Sequence, residues 1–293
     1  MWRVFRHQGW HSLDLVTVVI LFAATFALTW PAWIDIVTIA IRDEENSHIL
    51  LVLPIALWLF WLRRGRVRQC RIQHRWAGPV ICAAGLGLSA FGWSTGVDAA
   101  WHGGAVVALI GAVTSVSGVE YFWRFAPVVM LLAFLVPVPG VLRQTIALPL
   151  QTISAQCTQF LLDLIGVLAN RSGNLIIVDG MPVAVAEACN GLRMVFALLL
   201  VTYAFAFSIP MVNGVRLLLL LASPVVAIVA NVTRLVPTVL AYTTLDMSSA
   251  EFLHDLGGWL MLGIAFIALL GIEHVLRWAL IPTQRFTLAQ RSA

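Results

Sequence analysis

Cys189 combines a reactive side chain with a sequence position that favours its reactivity. It lies within residues 186–193, where a polar, turn-rich stretch meets an apolar run, 192–209, that is long enough to enter a bilayer. Position 189 is therefore predicted at the first turn of a buried helix, where unpaired backbone N–H groups and the helix dipole favour a thiolate. This setting predicts a nucleophile, and the alternative is a cysteine that only fills space in the core.

Two other polar groups are predicted at the same membrane boundary. Asn231 and Arg234 are three residues apart and so share one helix face, at the predicted outer end of their span. His254 and Asp255 stand where the last span begins. An arginine so close to hydrocarbon is costly and is usually functional or paired. The topology thus brings Cys189, Arg234 and His254 to one membrane face.

These residue types suit acyl transfer. A thiolate needs a base or a cationic neighbour, and the reaction needs positive charge where the oxyanion develops. His254 can act as base and then as acid, while Arg234 can hold the carbonyl oxygen. The alternatives are a histidine wetted by lipid headgroups and a snorkelling arginine. Arg193, four residues after Cys189, is a second candidate for the charge, and Glu187 could orient a neighbour or bind a basic group.

The composition identifies a polytopic membrane protein. Hydrophobic residues make up 60% of the chain and charged residues 11%, with a mean hydropathy of +0.92, so no soluble surface could form. Every basic residue is arginine, which excludes Ser–Lys proteases, lysine Schiff bases and P-loop nucleotide binding. The net charge of +4 is spread by membrane side, which argues against a nucleic-acid partner. The four cysteines lack metal or disulfide spacing, and no cofactor is predicted.

Hydropathy predicts an all-α bundle of about eight spans with a short outer β-hairpin and an interfacial helix. The hairpin is predicted around Asp179-Gly180 and the interfacial helix over 144–168. The arginine-rich loop 63–75 and both termini are predicted to be cytoplasmic. The predicted spans are 13–33, 49–62, 78–93, 101–118, 125–135, 191–209, 215–232 and 256–276.

The chain is predicted to form a single domain, 1–293, without internal repeats. Its parts are 1–139 with five spans, 140–188 with the interfacial helix and hairpin, 189–276 with three catalytic spans, and the tail 277–293. Gly85-Leu-Gly87 lacks the third glycine and preceding strand of a dinucleotide fingerprint, and we interpret it as helix packing in lipid.

Three motifs resemble those of the exosortase/archaeosortase family of membrane-embedded cysteine proteases and transpeptidases. They are Val-Ala-Glu-Ala-Cys-Asn-Gly-Leu-Arg, Asn-Val-Thr-Arg and His-Asp-Leu-Gly-Gly, and the Pro-Val-Pro element ahead of a glutamine-rich helix is similar as well. The resemblance implies that Cys189, Arg234 and His254 are catalytic. Glu187, Asn190, Arg193, Asn231 and Asp255 are predicted to support the site or bind the substrate. The family usually has serine where this chain has Asn190.

The resemblance also implies the substrates and the location. The substrates would be exported proteins with a C-terminal sorting signal: a short Pro-Glu-Pro-like motif, a transmembrane helix and a basic tail. The enzyme would cut at the motif, hold a thioester and pass it to water or to a lipid or polysaccharide acceptor. It would sit among the lipids of the bacterial inner membrane with its site on the periplasmic face. The alternative is a transporter or polysaccharide-export subunit without proteolytic activity, which inverted repeats with broken helices would favour.

Overall fold

A computed structural model describes residues 12–69, 76–178, 180–184 and 191–280. Most of these residues are helical, and one small antiparallel sheet interrupts the helices. The helices are α1 Ser12–Leu28, α2 Trp30–Arg42, α3 Ile49–Arg63, α4 Ala77–Thr95, α5 Asp98–Ser117, α6 Val119–Arg124, α7 Ala126–Leu131, α8 Gly140–Leu164, α9 Gly191–Ser208, α10 Asn213–Thr244 and α11 Met247–Leu280. Three short 3-10 turns, Glu44–Asn46, Arg64–Gln69 and Leu132–Leu135, connect them.

The helix lengths and compositions describe a multi-pass membrane protein. Five helical segments of the described chain are long and apolar enough to cross a membrane: Glu44–Val67, Ala77–Thr95, Asp98–Ser117, Asn213–Thr244 and Met247–Leu276. Two bent helix pairs raise the number to as many as seven, so the predicted count of eight is not reached by this criterion. The α9 segment 192–208 is apolar but shorter than those five.

The two bends explain where the predicted spans differ from the observed helices. The predicted first span, 13–33, is two helices in the structure. The first, α1, ends at Leu28, and α2, which continues to Arg42, leaves it at an angle of 72°. The predicted fifth span is a short helix followed by a 3-10 turn, and it meets α8 at 92°. Pro137 and Pro139 lie at this second bend, where proline cannot continue the helical hydrogen-bond ladder.

The α4–α5 hairpin is held by backbone contact at glycines. A Cβ at Gly85 would lie 2.3 Å from the backbone nitrogen of Ala108, whereas Gly87 has open space around it. The glycines at positions 78, 92, 104 and 111 leave similarly little room. The predicted helix packing is thus seen at Gly85, and close approach of this kind is typical of helices in lipid.

The sheet has three strands instead of the two predicted. The strands β1 Ala169–Ser172, β2 Leu175–Val178 and β3 Met181–Ala184 pair in sequence order, all antiparallel. The added strand, β1, covers residues 169–172, which the sequence analysis did not assign to a strand. Ile176, Val178 and Val183 from the sheet share a buried cluster with α8 and with Leu235 and Val239 of α10.

Both α10 and α11 extend beyond the predicted spans. The predictions ended one span at 232 and began the next at 256, but α10 continues to Thr244 and α11 begins at Met247. The error at α10 has a tertiary cause, because Leu235 and Val239 remain buried against the sheet despite Pro237 within the helix. At α11, the Asp246 carboxylate accepts a hydrogen bond from the Ser249 N–H, which provides a polar start to the helix. Hydrogen bonds from Ser248 and Ser249 lower the pKa of Asp246 to about 2.

Candidate functional site

The helices α9, α10 and α11 pack together around one apolar cluster. Small and medium side chains from all three meet there, among them Met194 of α9, Ala230 of α10 and Ala265 of α11. Arg234 follows the residues of this cluster along α10, and His254 precedes them along α11. One three-helix cluster therefore supports the helix segments that carry Arg234 and His254.

Arg234 is buried between α10 and α11. Only 7% of the residue is exposed, and its Nη2 donates a hydrogen bond to Oδ1 of Asn231 at 3.3 Å. Its guanidinium also lies against α11, since a Cβ built on Gly258 would be 3.0 Å from Nη1. Gly257 meets the aliphatic part of the same side chain, with 3.5 Å between its built Cβ and the Arg234 Cγ. Gly258 thus leaves room for the guanidinium, whereas a Cβ at Gly257 would make only an ordinary contact.

His254 lies on the face of α11 that receives this arginine. Residues three and four apart are neighbours on a helix surface, so His254 shares its face with Gly257 and Gly258. The distance along the axis from His254 to Gly258 is about 6 Å, a little over one turn. His254 is half-buried and falls in the third turn of α11, not at its start as predicted. The fold thus brings Arg234 to the helix face that carries His254.

Strand β3, before residues 185–190, and helix α9, after them, both pack against α10. Their contacts on α10 lie just after and just before Arg234. Before the gap, Val183 of β3 is buried with Leu235. After it, Met194 of α9 is buried with Ala230, one turn before Arg234. Three predicted site residues, Glu187, Cys189 and Asn190, lie outside the described residues. Asp255 is in α11, and its side chain is also outside the described part.

Arg193 is held at a different place from Arg234. Its Nη1 contacts Oε2 of Glu44 at 3.3 Å, and the side chains of Arg193 and Glu44 are 42% and 72% exposed. This contact joins the first turn of α9 to residues 43–45, which we call the acidic turn. Exposed pairs of this kind contribute little to stability, but they do occupy the guanidinium.

The acidic turn also binds Arg143 at the start of α8. Arg143 Nη1 lies 2.6 Å from Oδ2 of Asp43, and its Nε lies 3.1 Å from Oε2 of Glu45. Burial raises the pKa of Asp43, but hydrogen bonds from Asn46, from the Glu45 N–H and from Arg143 outweigh it, so the pKa lies below its usual value. The turn is therefore a network of side-chain contacts that connects α8 and α9.

A second polar pair, which the sequence analysis did not identify, lies between α2 and α5. Nε2 of His102 is 2.9 Å from Oδ2 of Asp35, and His102 is fully buried. The signal that could have found it is a histidine inside an apolar span, because ionisable residues at membrane depth are expensive and mark function. Its partner is 67 residues away, so no local spacing indicates the pair.

Among the described residues, no group of three or more His, Cys, Asp or Glu side chains could hold a metal ion. The chemistry available there is that of a guanidinium and an imidazole on adjacent helices. Such a pair can stabilise developing negative charge and transfer a proton.

One family model, described as transmembrane exosortase, matches residues 33–271. The matched stretch includes most of the chain and contains Arg234 and His254 as well as the Asp35–His102 pair. Neither the comparison with curated proteins nor the comparison with solved structures found a match.

Proposed function

Because the chain belongs to the transmembrane exosortase family, a family of membrane sorting transpeptidases, we propose that it cleaves the C-terminal sorting signals of exported proteins through a cysteine thioester. The observation that carries this proposal is the packing of buried Arg234 against the Gly257-Gly258 face of α11, which also carries His254. A buried arginine is costly unless it serves a partner or a reaction.

The proposed reaction begins with proton transfer from the thiol of Cys189 to His254. The sulfur attacks the scissile carbonyl carbon, and Arg234 stabilises the oxyanion that forms. The C–N bond then breaks, and the proton passes from His254 to the leaving amine. Water or an acceptor attacks the thioester and releases the thiolate of Cys189. Glu187, Asn190 and Asp255 are proposed to support or bind the substrate.

Arg234 is the better candidate for oxyanion stabilisation than Arg193. Arg234 is 7% exposed, whereas the side chain of Arg193 is 42% exposed and contacts Glu44. A charge shielded from water acts more strongly on a developing oxyanion than a hydrated one. Asn231 supports this role, since its Oδ1 accepts from Arg234 and is itself on a residue only 2% exposed.

The proposed orientation places the site on the outer face of the bacterial inner membrane, with both termini in the cytoplasm. Contacts group the arginines as this orientation requires. Arg63 and Arg216, both assigned to the inner side, meet at Phe207, while Arg143 and Arg193, both assigned outside, meet at the acidic turn. The hydrophobic helix of a sorting signal would then lie among the spans with its basic tail inside.

A transporter or polysaccharide-export subunit is the competing function. A solute-binding role would explain a buried arginine. It would not explain the match to an exosortase family model over residues 33–271, so the sorting function is the better supported proposal.

The test is processing of a sorting-signal protein in cells that express variants of this chain. We expect Cys189→Ala to leave the precursor uncut and Cys189→Ser to do nearly the same, because the hydroxyl is a far weaker nucleophile near neutral pH. Cys157→Ala is the matched control, since Cys157 is an exposed free cysteine on α8. Normal processing by Cys189→Ala, read as precursor and product on an immunoblot, would falsify the proposal.

A further inference from the structure

Two arginines from different helices lie on one aromatic ring, that of Phe207 in α9. The guanidinium carbon of Arg63, the last residue of α3, is 5.8 Å from the centre of this ring. That of Arg216, the fourth residue of α10, is 4.6 Å from it. We call Arg63 and Arg216 the Phe207 arginine pair. The ring attracts each cation but carries no net charge, so two positive charges share this place in the fold.

Every hydrogen bond that the pair makes within the described chain goes to an uncharged acceptor. Nη2 of Arg63 donates to the carbonyl oxygen of Phe207 at 2.9 Å. Arg216 donates to two carbonyl oxygens and, from Nη1, to Oδ1 of Asn213 at 2.6 Å. By contrast, Arg143 contacts two carboxylates of the acidic turn. The charge of the Phe207 arginine pair is therefore not neutralised by any described side chain.

The two arginines differ in what they can offer a ligand. A guanidinium has five N–H donors, and Arg216 uses three of them in the contacts above. Its contact with Asn213 lies at the surface, so Nη1 of Arg216 is within reach of a ligand. Nε and Nη1 of Arg63 are buried and have no hydrogen-bond partner among the described residues. Arg216 can thus bond an anion directly, while Arg63 adds its positive charge from behind.

The start of α10 adds partial positive charge at the same place. The first backbone N–H groups of this 32-residue helix have no intrahelical acceptor, and its N-cap residue, Val212, has no side chain that could accept from them. Asn213, the first residue of α10, is the one that Arg216 Nη1 contacts. Space is open beside Gly214, the second residue. An anion bound at Nη1 would therefore also be favoured by the helix dipole.

The surface around the pair has the character of a boundary between lipid and water. Trp58 and Trp61, in the last turns of α3, are exposed, and tryptophan is enriched at membrane interfaces. On α10, Leu217 and Leu221 follow Arg216 and are also exposed. A ligand at Arg216 would meet positive charge at one end and apolar side chains at the other. This combination matches a phospholipid, in which a phosphate is joined to acyl chains.

We propose that the Phe207 arginine pair is a binding site for the phosphate of an anionic phospholipid. A phosphate oxygen accepts from Nη1 of Arg216, and the acyl chains lie along the exposed leucines of α10. An anionic headgroup fits better than a zwitterionic one, because no described carboxylate at the pair could bind a headgroup amine. In the proposed orientation the site faces the inner leaflet. The inference concerns binding alone, so it holds whether or not the chain cleaves sorting signals.

The test measures lipid binding to the full-length protein in a neutral detergent. Dioleoyl-phosphatidylglycerol is the anionic probe, and dioleoyl-phosphatidylcholine has the same acyl chains but no net charge. Native mass spectrometry gives the Kd of each lipid. We expect the wild type to bind phosphatidylglycerol about tenfold more tightly, the effect of one charge-assisted hydrogen bond. Equal Kd values for the two lipids would overturn the proposal.

The variant Arg216→Gln removes the charge that the phosphate contacts. Its Kd for phosphatidylglycerol should rise about tenfold, while its Kd for phosphatidylcholine should stay near the wild-type value. Arg171→Gln is the matched control, because Arg171 is on β1 and bonds the carbonyl of Gly173. The sheet packs against α10 about five turns beyond Arg216. Wild-type affinity in Arg216→Gln, or an equal loss in the control, would contradict the site.

A crosslinking measurement on the wild type decides the question even if Arg216→Gln does not fold. Phosphatidylglycerol with a diazirine on one acyl chain is bound and irradiated, and the modified peptides are identified by mass spectrometry. We expect crosslinks within 58–63 of α3 and 213–221 of α10. Crosslinks that miss both segments would refute the site.

Inorganic phosphate distinguishes a lipid from a free anion. It should not displace phosphatidylglycerol at about a hundredfold molar excess, since the acyl chains contribute a large part of the binding free energy. Displacement by inorganic phosphate at a concentration near the Kd of the lipid would identify a site for soluble phosphate and overturn the assignment to a phospholipid.

Discussion

Arg234 shows how a single side chain depends on its neighbours. The guanidinium is buried, bonded to Asn231 and enclosed by two glycines of α11. The sequence indicated that this arginine is unusual, because it is close to hydrocarbon. It did not indicate the role of Gly257 and Gly258, since the contact joins two helices that face each other.

The first prediction separates the two arginines. Arg234→Gln should lower cleavage activity by about 10²-fold or more, the usual effect of removing an oxyanion donor. Arg193→Gln should change activity by no more than about threefold, because an exposed ion pair contributes little. Initial rates of sorting-signal cleavage by purified variants measure both. A larger loss in Arg193→Gln than in Arg234→Gln would reverse the assignment.

The second prediction tests the glycine pair. Gly258→Ala brings a Cβ to 3.0 Å from Nη1 of Arg234, so the guanidinium must shift, and we expect roughly tenfold slower cleavage. Gly257→Ala is the control, because its Cβ would make an ordinary contact of 3.5 Å with Cγ. Both variants should keep similar thermal stability. Equal activity of the two would show that the position of the guanidinium does not matter for cleavage.

At the scale of elements, the sequence predicted the ends of α4 and α5 more accurately than those of α10 and α11. Hydropathy predicted α4 and α5 with nearly the observed bounds. The predicted span ends at 232 and 256 differ from the observed ends of α10 and α11 by roughly ten residues. At α10, the packing of Leu235 and Val239 against the sheet is the tertiary cause.

The third prediction concerns the α4–α5 hairpin. Gly85→Ala should destabilise the protein by about 2 kcal/mol, since the helices must separate to admit a Cβ that lies 2.3 Å from the Ala108 nitrogen. Gly87→Ala should be neutral or slightly stabilising, because it has free space and alanine is the better helix former. Thermal unfolding in one detergent compares the two. A similar loss of stability in both variants would contradict the packing role of Gly85.

At the scale of the whole molecule, two sets of polar contacts lie along the bundle. One contains Arg63 and Arg216 around Phe207, and the other contains the acidic turn with Arg143 and Arg193. The order of the predicted spans, with the loop 63–75 inside, places the first group on the inner side and the second on the outer side. Each set joins elements that are far apart in the chain. Arginines that the predicted topology places on one membrane side therefore also lie near each other in the fold.

The fourth prediction is the orientation of the bundle. Single cysteines introduced by Val212→Cys, between α9 and α10, and by Leu245→Cys, between α10 and α11, occupy exposed positions. In a background without the native cysteines, a membrane-impermeant maleimide should label position 245 in spheroplasts and position 212 only after permeabilisation. The reverse pattern would place the Arg234 end of α10 in the cytoplasm and exclude the proposed outer site.

The sequence by itself determined that this chain is an all-α membrane protein of the exosortase type, because hydropathy, arginine distribution and short motifs are local properties of the chain. Only the tertiary structure decided that Arg234 is buried against Gly257 and Gly258. It also decided that fully buried His102 of α5 bonds the partly exposed carboxylate of Asp35 on α2, 67 residues away. Such contacts join residues on different helices, and their geometry depends on how those helices pack, which no spacing along one chain records.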